Sequence, residues 1–209
     1  HYFTKCDKEL RKGNWEVRNQ VKGFDIEGKT LGIVGLGKIG RRVAKKAKLG
    51  LEMKIIGYDP YVSKENKPEH VDEMVGWEEI FKKSDFITLH MPSTPETKGI
   101  VGEKELSLMH PESFFINAAR GDIVDEKALL KVLKEEKIAG AGLDVFAEEP
   151  LSADSPFIEL DKLVLLPHSA ALTKECTGRM SLHAAMGIDE VLSGKEPTWP
   201  VNKPKQRRS

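Results

Sequence analysis

Four groups of residues have types and spacings that could do chemistry. The first is Gly35-Leu-Gly37-Lys-Ile-Gly40, which follows an apolar run and leads into a helical pattern. Glycine at 35 permits a tight turn, at 37 lets a ligand approach the backbone, and at 40 lets the helix pack closely on the strand. The free N–H groups and positive end of such a helix suit a pyrophosphate. The second is Asp59, nineteen residues beyond Gly40 at the end of the next apolar run. A carboxylate there can accept hydrogen bonds from both hydroxyls of a ribose, and it repels a 2′-phosphate. Strand, loop, helix and acid together indicate a dinucleotide site, with NAD expected over NADP. Pro60, Tyr61 and Val62 offer no arginine for a 2′-phosphate, and Lys64 speaks only weakly the other way.

The third group is Arg120, directly before Gly121, and the fourth is His168 with the acidic pair Glu148 and Glu149. An arginine can hold a carboxylate through two parallel charge-assisted hydrogen bonds. A carbonyl that receives hydride also needs a proton, and histidine, with an ordinary pKa of about 6.5, suits that task near neutral pH. A neighbouring carboxylate would orient the ring and favour its charged form. Either Glu148 or Glu149 could serve. Taken alone, a histidine after "LVLLP" reads as the end of a strand.

The elements that must position these groups recur along the chain. Short apolar runs stand at Leu31–Val34, Met53–Tyr58, Phe86–Leu89, Phe114–Ile116, Ala139–Val145 and Leu163–Leu166. They lack strict alternation, which suits strands buried on both faces of a parallel sheet. Helical patterns lie between them. One covers Ile39–Leu49, with Gly50 as its expected C-cap, and another covers Glu126–Glu136 behind the N-cap Asp125. The alternation predicts an α/β fold, a Rossmann-type doubly wound parallel sheet with flanking helices. Ligands of such sheets bind beyond the carboxyl ends of the strands. Just past the runs stand the glycine loop, Asp59, His90-Met-Pro92, Asn117 to Gly121, Asp144 and His168, one row along one crevice.

Two end segments fall outside the alternation. Residues 2–12 read as a helix closed by Gly13, followed by an irregular stretch over 14–29. Residues 173–193 form a long amphipathic pattern, with Cys176, Met180, Ala184, Ile188 and Val191 on one face and Gly194 and Pro197 as stops. We therefore divide the chain into 1–28, a linker; 29–172, the dinucleotide-binding domain; and 173–209, a helix and return tail. The basic stretch Lys203 to Arg208 reads as a frayed, solvated tail.

Composition narrows the class. The chain has 209 residues, 39% apolar and 32% charged, which predicts a soluble globular protein. Thirty-three basic residues balance thirty-three acidic ones, so no net field draws it to nucleic acid or an anionic membrane. No apolar run is long enough to span a bilayer, and no signal peptide is visible. The two cysteines, Cys6 and Cys176, sit in no metal-ligand spacing, so no metal is expected and a reducing, cytoplasmic setting is. The first residue is His1 rather than Met, from which we expect a fragment or a processed form.

The segments "GIVGLGKIG", "LHMPSTPETKGIV", "FINAARGDIVDEKAL", "GAGLDVFAEEP" and "LLPHSAA" closely resemble the D-isomer-specific 2-hydroxyacid dehydrogenases, over about residues 1–202. The resemblance implies an NAD-dependent oxidoreductase that interconverts a D-2-hydroxy acid and its 2-oxo acid. Phosphoglycerate, hydroxypyruvate/glyoxylate and lactate types all stay open. It implies a catalytic set of Arg120, Glu149 and His168. Beside the glycines it implies cofactor contacts from Lys38 and Ile39 at the pyrophosphate, Asp59 at the ribose, and Pro92 and Thr97 on the adenine and ribose side. It also implies Ala118, Ala119 and Arg120 at the nicotinamide half, Asp144 at its carboxamide, and His168 and Ala170 alongside. A homodimer is implied, as is a second, substrate-holding domain largely absent from this chain, whose first residues read as the end of an interdomain helix. The isolated chain is expected to bind NADH and turn over slowly, since nothing holds substrate opposite Arg120 or excludes water. An alternative on the same fold is an NAD(H)-sensing, corepressor-like interaction protein.

Overall fold

A computed structural model describes residues 2–200. In chain order the elements are helix α1 (Tyr2–Arg11), strand β1 (Thr30–Val34), helix α2 (Lys38–Gly50), strands β2 (Lys54–Tyr58) and β3 (Glu73–Met74), helix α3 (Trp77–Lys83), strand β4 (Phe86–Leu89), helix α4 (Glu103–Leu106), strand β5 (Phe114–Asn117), helix α5 (Glu126–Lys134), strands β6 (Gly140–Leu143) and β7 (Leu163–Leu165), and helix α6 (Lys174–Leu192). Short 3-10 turns cover Trp15–Asn19 and Gly121–Ile123. Among the described residues, 2–168 form one compact unit and 169–200 a second.

The first unit is built on a seven-stranded parallel sheet in the order β3-β2-β1-β4-β5-β6-β7. This is the expected doubly wound, Rossmann-type sheet. The order reverses between β1 and β4, which opens a crevice at their carboxyl ends. The register keeps those ends level. Tyr58 pairs with Val34, Val34 with Leu89, Leu89 with Asn117, Asn117 with Leu143, and Leu143 with Leu165. Asp59, Gly35, His90, Ala118 and Asp144 therefore follow the sheet in one row.

Two apolar clusters hold the sheet. One gathers Leu31, Ile33, Ile55 and Met53 against Ala44 and Ala47 of α2. The other gathers Val34, Ile87, Leu89, Phe115 and Leu143 against Ile80 and Phe81 of α3 and Leu129 and Val132 of α5. α5 starts where its sequence directs, with Asp125 Oδ1 accepting from the N–H groups of Lys127 (2.9 Å) and Ala128 (3.2 Å).

Several expectations need correction. Burial on both faces holds for β1 and β4, but β5 and β7 alternate: Phe115 and Leu163 are buried, while Phe114 and Ile116 are partly buried and Val164 is exposed. In the first unit the described residues cover only one face of these strands fully. A seventh strand, β3, was not expected, because two residues are too few to carry a pattern. The stretch 14–29 contains a helical turn. Gly50 ends α2 from inside the helix, and the left-handed residue is Glu52, at φ 52°. α6 is capped by Thr173, whose hydroxyl accepts from Cys176 N–H (3.0 Å), yet it buries none of its residues, so its apolar side chains do not form a core. The tail Lys203 to Arg208 lies outside the described residues.

Candidate active site

The β1–α2 connection fits a dinucleotide phosphate. Gly35 adopts φ 94°, and a side chain at Gly40 would meet the Gly35 carbonyl oxygen at 2.0 Å, so the turn closes only with hydrogen at 40. Beside Gly37 there is open space, and no side chain caps α2. The first N–H groups of a thirteen-residue helix therefore face outward, flanked by the exposed Lys38 and Ile39. Asp59 binds this loop to β2: Oδ2 accepts from Leu36 N–H (2.8 Å) and Oδ1 from Tyr61 N–H (2.9 Å). Each oxygen keeps a further lone pair for a ribose hydroxyl.

The loop after β4 carries Pro92 and Thr97. Thr97 Oγ1 donates to Pro92 O (2.8 Å) and accepts from Thr94 N–H (2.7 Å), so this hydroxyl shapes the loop itself. His90 belongs to the row by backbone only. Its Nε2 pairs with Thr88 Oγ1 (3.1 Å), and burial pushes the imidazole below its ordinary pKa of 6.5.

The ends of β5, β6 and β7 are tied together. Asn117, 2% exposed, folds the next turn: its Oδ1 accepts from Ala119 N–H (3.0 Å) and its Nδ2 donates to Arg120 O (2.9 Å). Asp144 N–H donates to Asn117 O (2.9 Å), and Asp144 O accepts from His168 N–H (2.8 Å). Asp144 itself is 5% exposed. His168 sits at φ 52°, a left-handed conformation uncommon outside glycine.

These ties bring Arg120, Glu149 and His168 to one open hollow of about 410 Å³, together with Ser93, Phe146 and Ala147. His168 Nδ1 and Glu149 Oε2 are 2.8 Å apart, and Glu149 Oε1 accepts from Phe146 N–H (3.0 Å). The bond to His168, the Phe146 N–H and the charge of Arg120 hold the Glu149 carboxyl below its ordinary value. Glu149, rather than Glu148, is the partner of the histidine. Arg120 is exposed, with Nη1 donating to Ala119 O (2.6 Å), and its remaining donors can receive a carboxylate. An apolar hollow of about 430 Å³, walled by Leu151, Ile158 and Leu166, adjoins the same pair.

Residues 2–170 match the family model described as "D-isomer specific 2-hydroxyacid dehydrogenase, NAD binding domain". The chain belongs to this family. Among similar D-2-hydroxyacid dehydrogenase relatives, the D-3-phosphoglycerate dehydrogenase of Methanocaldococcus jannaschii is 44% identical over 93% of this chain and 37% of its own length. The glyoxylate reductase of Korarchaeum cryptofilum is 41% identical over 96% of this chain and 61% of its own length. A solved acyclic imino acid reductase in complex with NADPH and D-Arg superposes with a TM-score of 0.84 at 35% identity, over 96% of this chain and 62% of its own. The chain thus spans between about a third and two thirds of the length of these relatives. The cofactor of the family domain is NAD, and the open glycine loop, the uncapped α2 and Asp59 fit it.

Of the residues singled out from sequence, Gly35, Gly37, Lys38, Ile39, Gly40 and Asp59 share the β1–β2 end. Ala118, Ala119, Arg120, Asp144, Glu149 and His168 share the β5–β7 end. Ala170 falls in the second unit. Sequence reasoning missed the roles of Asn117 and Gly121. The signal for Asn117 was present, since an Asn side chain readily accepts from the N–H two residues on.

Proposed function

We propose that the complete protein is an NAD-dependent oxidoreductase that interconverts a D-2-hydroxy acid and its 2-oxo acid, and that Arg120, Glu149 and His168 do the chemistry. The observation that carries this reading is the 2.8 Å contact between His168 Nδ1 and Glu149 Oε2 in the hollow that also holds Arg120. Bound NADH supplies hydride. Arg120 takes the substrate carboxylate and polarises the keto oxygen. Nδ1 is engaged by Glu149, which orients the ring, so Nε2 is the atom left to give the proton to that oxygen. In the oxidative direction Nε2 receives the proton. The substrate belongs to the phosphoglycerate, hydroxypyruvate/glyoxylate or lactate class, whose names the relatives carry in part.

The test is NADH oxidation by the complete gene product against a panel of these 2-oxo acids, with NADPH alongside. Asp59 favours NADH, and oxidation of neither cofactor with any member of the panel would refute the proposal. We also propose a homodimer. α6 leaves Met180, Leu182, Ile188 and Val191 exposed, and a partner surface would cover such side chains. Light scattering decides that point. Among the described residues no helix is long and apolar enough to cross a membrane, and the free cysteines Cys6 and Cys176 suit the cytoplasm we propose as its setting.

A further inference from the structure

Glu126 opens α5 on the helix side of the sheet, and nothing in the chemistry above uses it. Its Oε1 accepts from the N–H of Ala147 at 2.8 Å, across to the loop that carries Glu149. The Phe146–Ala147 peptide unit is gripped a second time. A side chain on Gly121 would lie 1.9 Å from the Phe146 carbonyl carbon and 2.4 Å from Ala147 N, so Gly121 packs flush on the plane of that peptide. From the adjoining Val145–Phe146 peptide, Phe146 N–H donates to Glu149 Oε1 at 3.0 Å. The segment from Arg120 to Glu126 therefore presents Arg120 and, through Gly121 and Glu126, fixes the backbone to which Glu149 anchors itself.

We infer that Glu126 is a positioning residue for the Glu149–His168 pair, acting through the Ala147 amide. This rests on the proposed dehydrogenase reading. With the clamp open, the loop gains freedom, Glu149 holds the imidazole less firmly, and proton transfer slows while the distant nucleotide site is untouched. α5 keeps its own cap, Asp125, so loss of the Glu126 carboxylate leaves the helix in place.

The experiment compares Glu126→Ala and Glu126→Gln in the complete enzyme, with amide exchange followed by NMR in the 209-residue chain. Glu126→Ala should lower kcat about five- to tenfold, the effect of one ordinary hydrogen bond, with the KM for NADH unchanged. It should also speed exchange at Ala147. Glu126→Gln keeps an acceptor oxygen and should restore both to near the parent. A merely structural role would move the melting temperature without this split and without rescue by glutamine. An active parent with an equally active Glu126→Ala overturns the inference, as does unchanged exchange at Ala147. Equal losses in the two variants also overturn it, since they would report charge rather than the hydrogen bond. A parent that turns over no 2-oxo acid overturns the dehydrogenase reading instead, and the inference falls with it.

Discussion

Around β1 and β2 the crevice is made of backbone: Gly35, Gly37, Gly40 and the open end of α2, with Asp59 as its carboxylate. Around β5, β6 and β7 it is made of side chains, Arg120, Glu149 and His168, each exposed and each mounted on a buried support. The difference separates two kinds of vulnerability. In the proposed nucleotide half the candidate ligand contacts and the fold are the same atoms. In the proposed chemical half the candidate reacting groups can be removed while their supports, Asn117, Gly121 and Asp144, stay packed. A crevice divided this way should lose binding and turnover through different substitutions.

The largest effect expected is on turnover. His168→Ala in the complete enzyme should lower kcat by about 10²- to 10⁴-fold, the usual worth of a positioned acid–base group, while NADH binding, followed by fluorescence titration, survives. Loss of NADH binding in that variant would erase the division. The converse is Gly40→Ala. Its new methyl group meets the Gly35 carbonyl oxygen at 2.0 Å, so denaturant unfolding should show a loss of about 1–3 kcal/mol together with weakened NADH binding. A variant with full stability and full affinity would show that the turn is not backbone-limited.

Smaller effects sharpen the same contrast. His168→Gly should be as inactive as His168→Ala but more stable by about 1 kcal/mol, because glycine takes the left-handed conformation freely. Equal stabilities would mean that the backbone at 168 carries no strain. The smallest effect concerns His90, which lies between the halves and whose imidazole burial pushes below its ordinary pKa. The unfolded chain binds a proton there near pH 6.5 and the folded chain only at lower pH. Stability therefore rises with pH across that window and is lost as pH falls below about 6.5. His90→Asn should flatten the melting temperature between pH 7 and 5, and an unchanged slope would remove His90 from the account.

Much of this was legible in the sequence, because parallel strands and their connections announce themselves. The apolar runs marked six strands, and the residues just beyond them marked the crevice, since register in a parallel sheet carries every strand to the same edge. Three of the five family-like segments carry Arg120, Glu149 and His168, which the resemblance nominated and the structure brings to one hollow. What stayed hidden was contact between segments far apart in the chain. Gly121 reads as an ordinary turn glycine until the Phe146 carbonyl is found against it, and Glu126 reads as a first-turn helix acid until Ala147 is found within its reach. β3 was too short to show a period. The apolar stripe of α6 was legible and still misleading, because periodicity reports that a face wants cover without naming the cover.

The left-handed backbone at His168 has a consequence for descent. The residues that suit φ 52° best, glycine and asparagine, cannot give a proton as histidine does. On the proposed mechanism, folding and turnover thus favour different residues at one position. A duplicated copy freed from the need to turn over substrate would drift toward glycine or asparagine at 168 and become more durable as it fell silent. On the proposed mechanism, histidine held at that site in a lineage would record selection for chemistry over the residue that suits the backbone best.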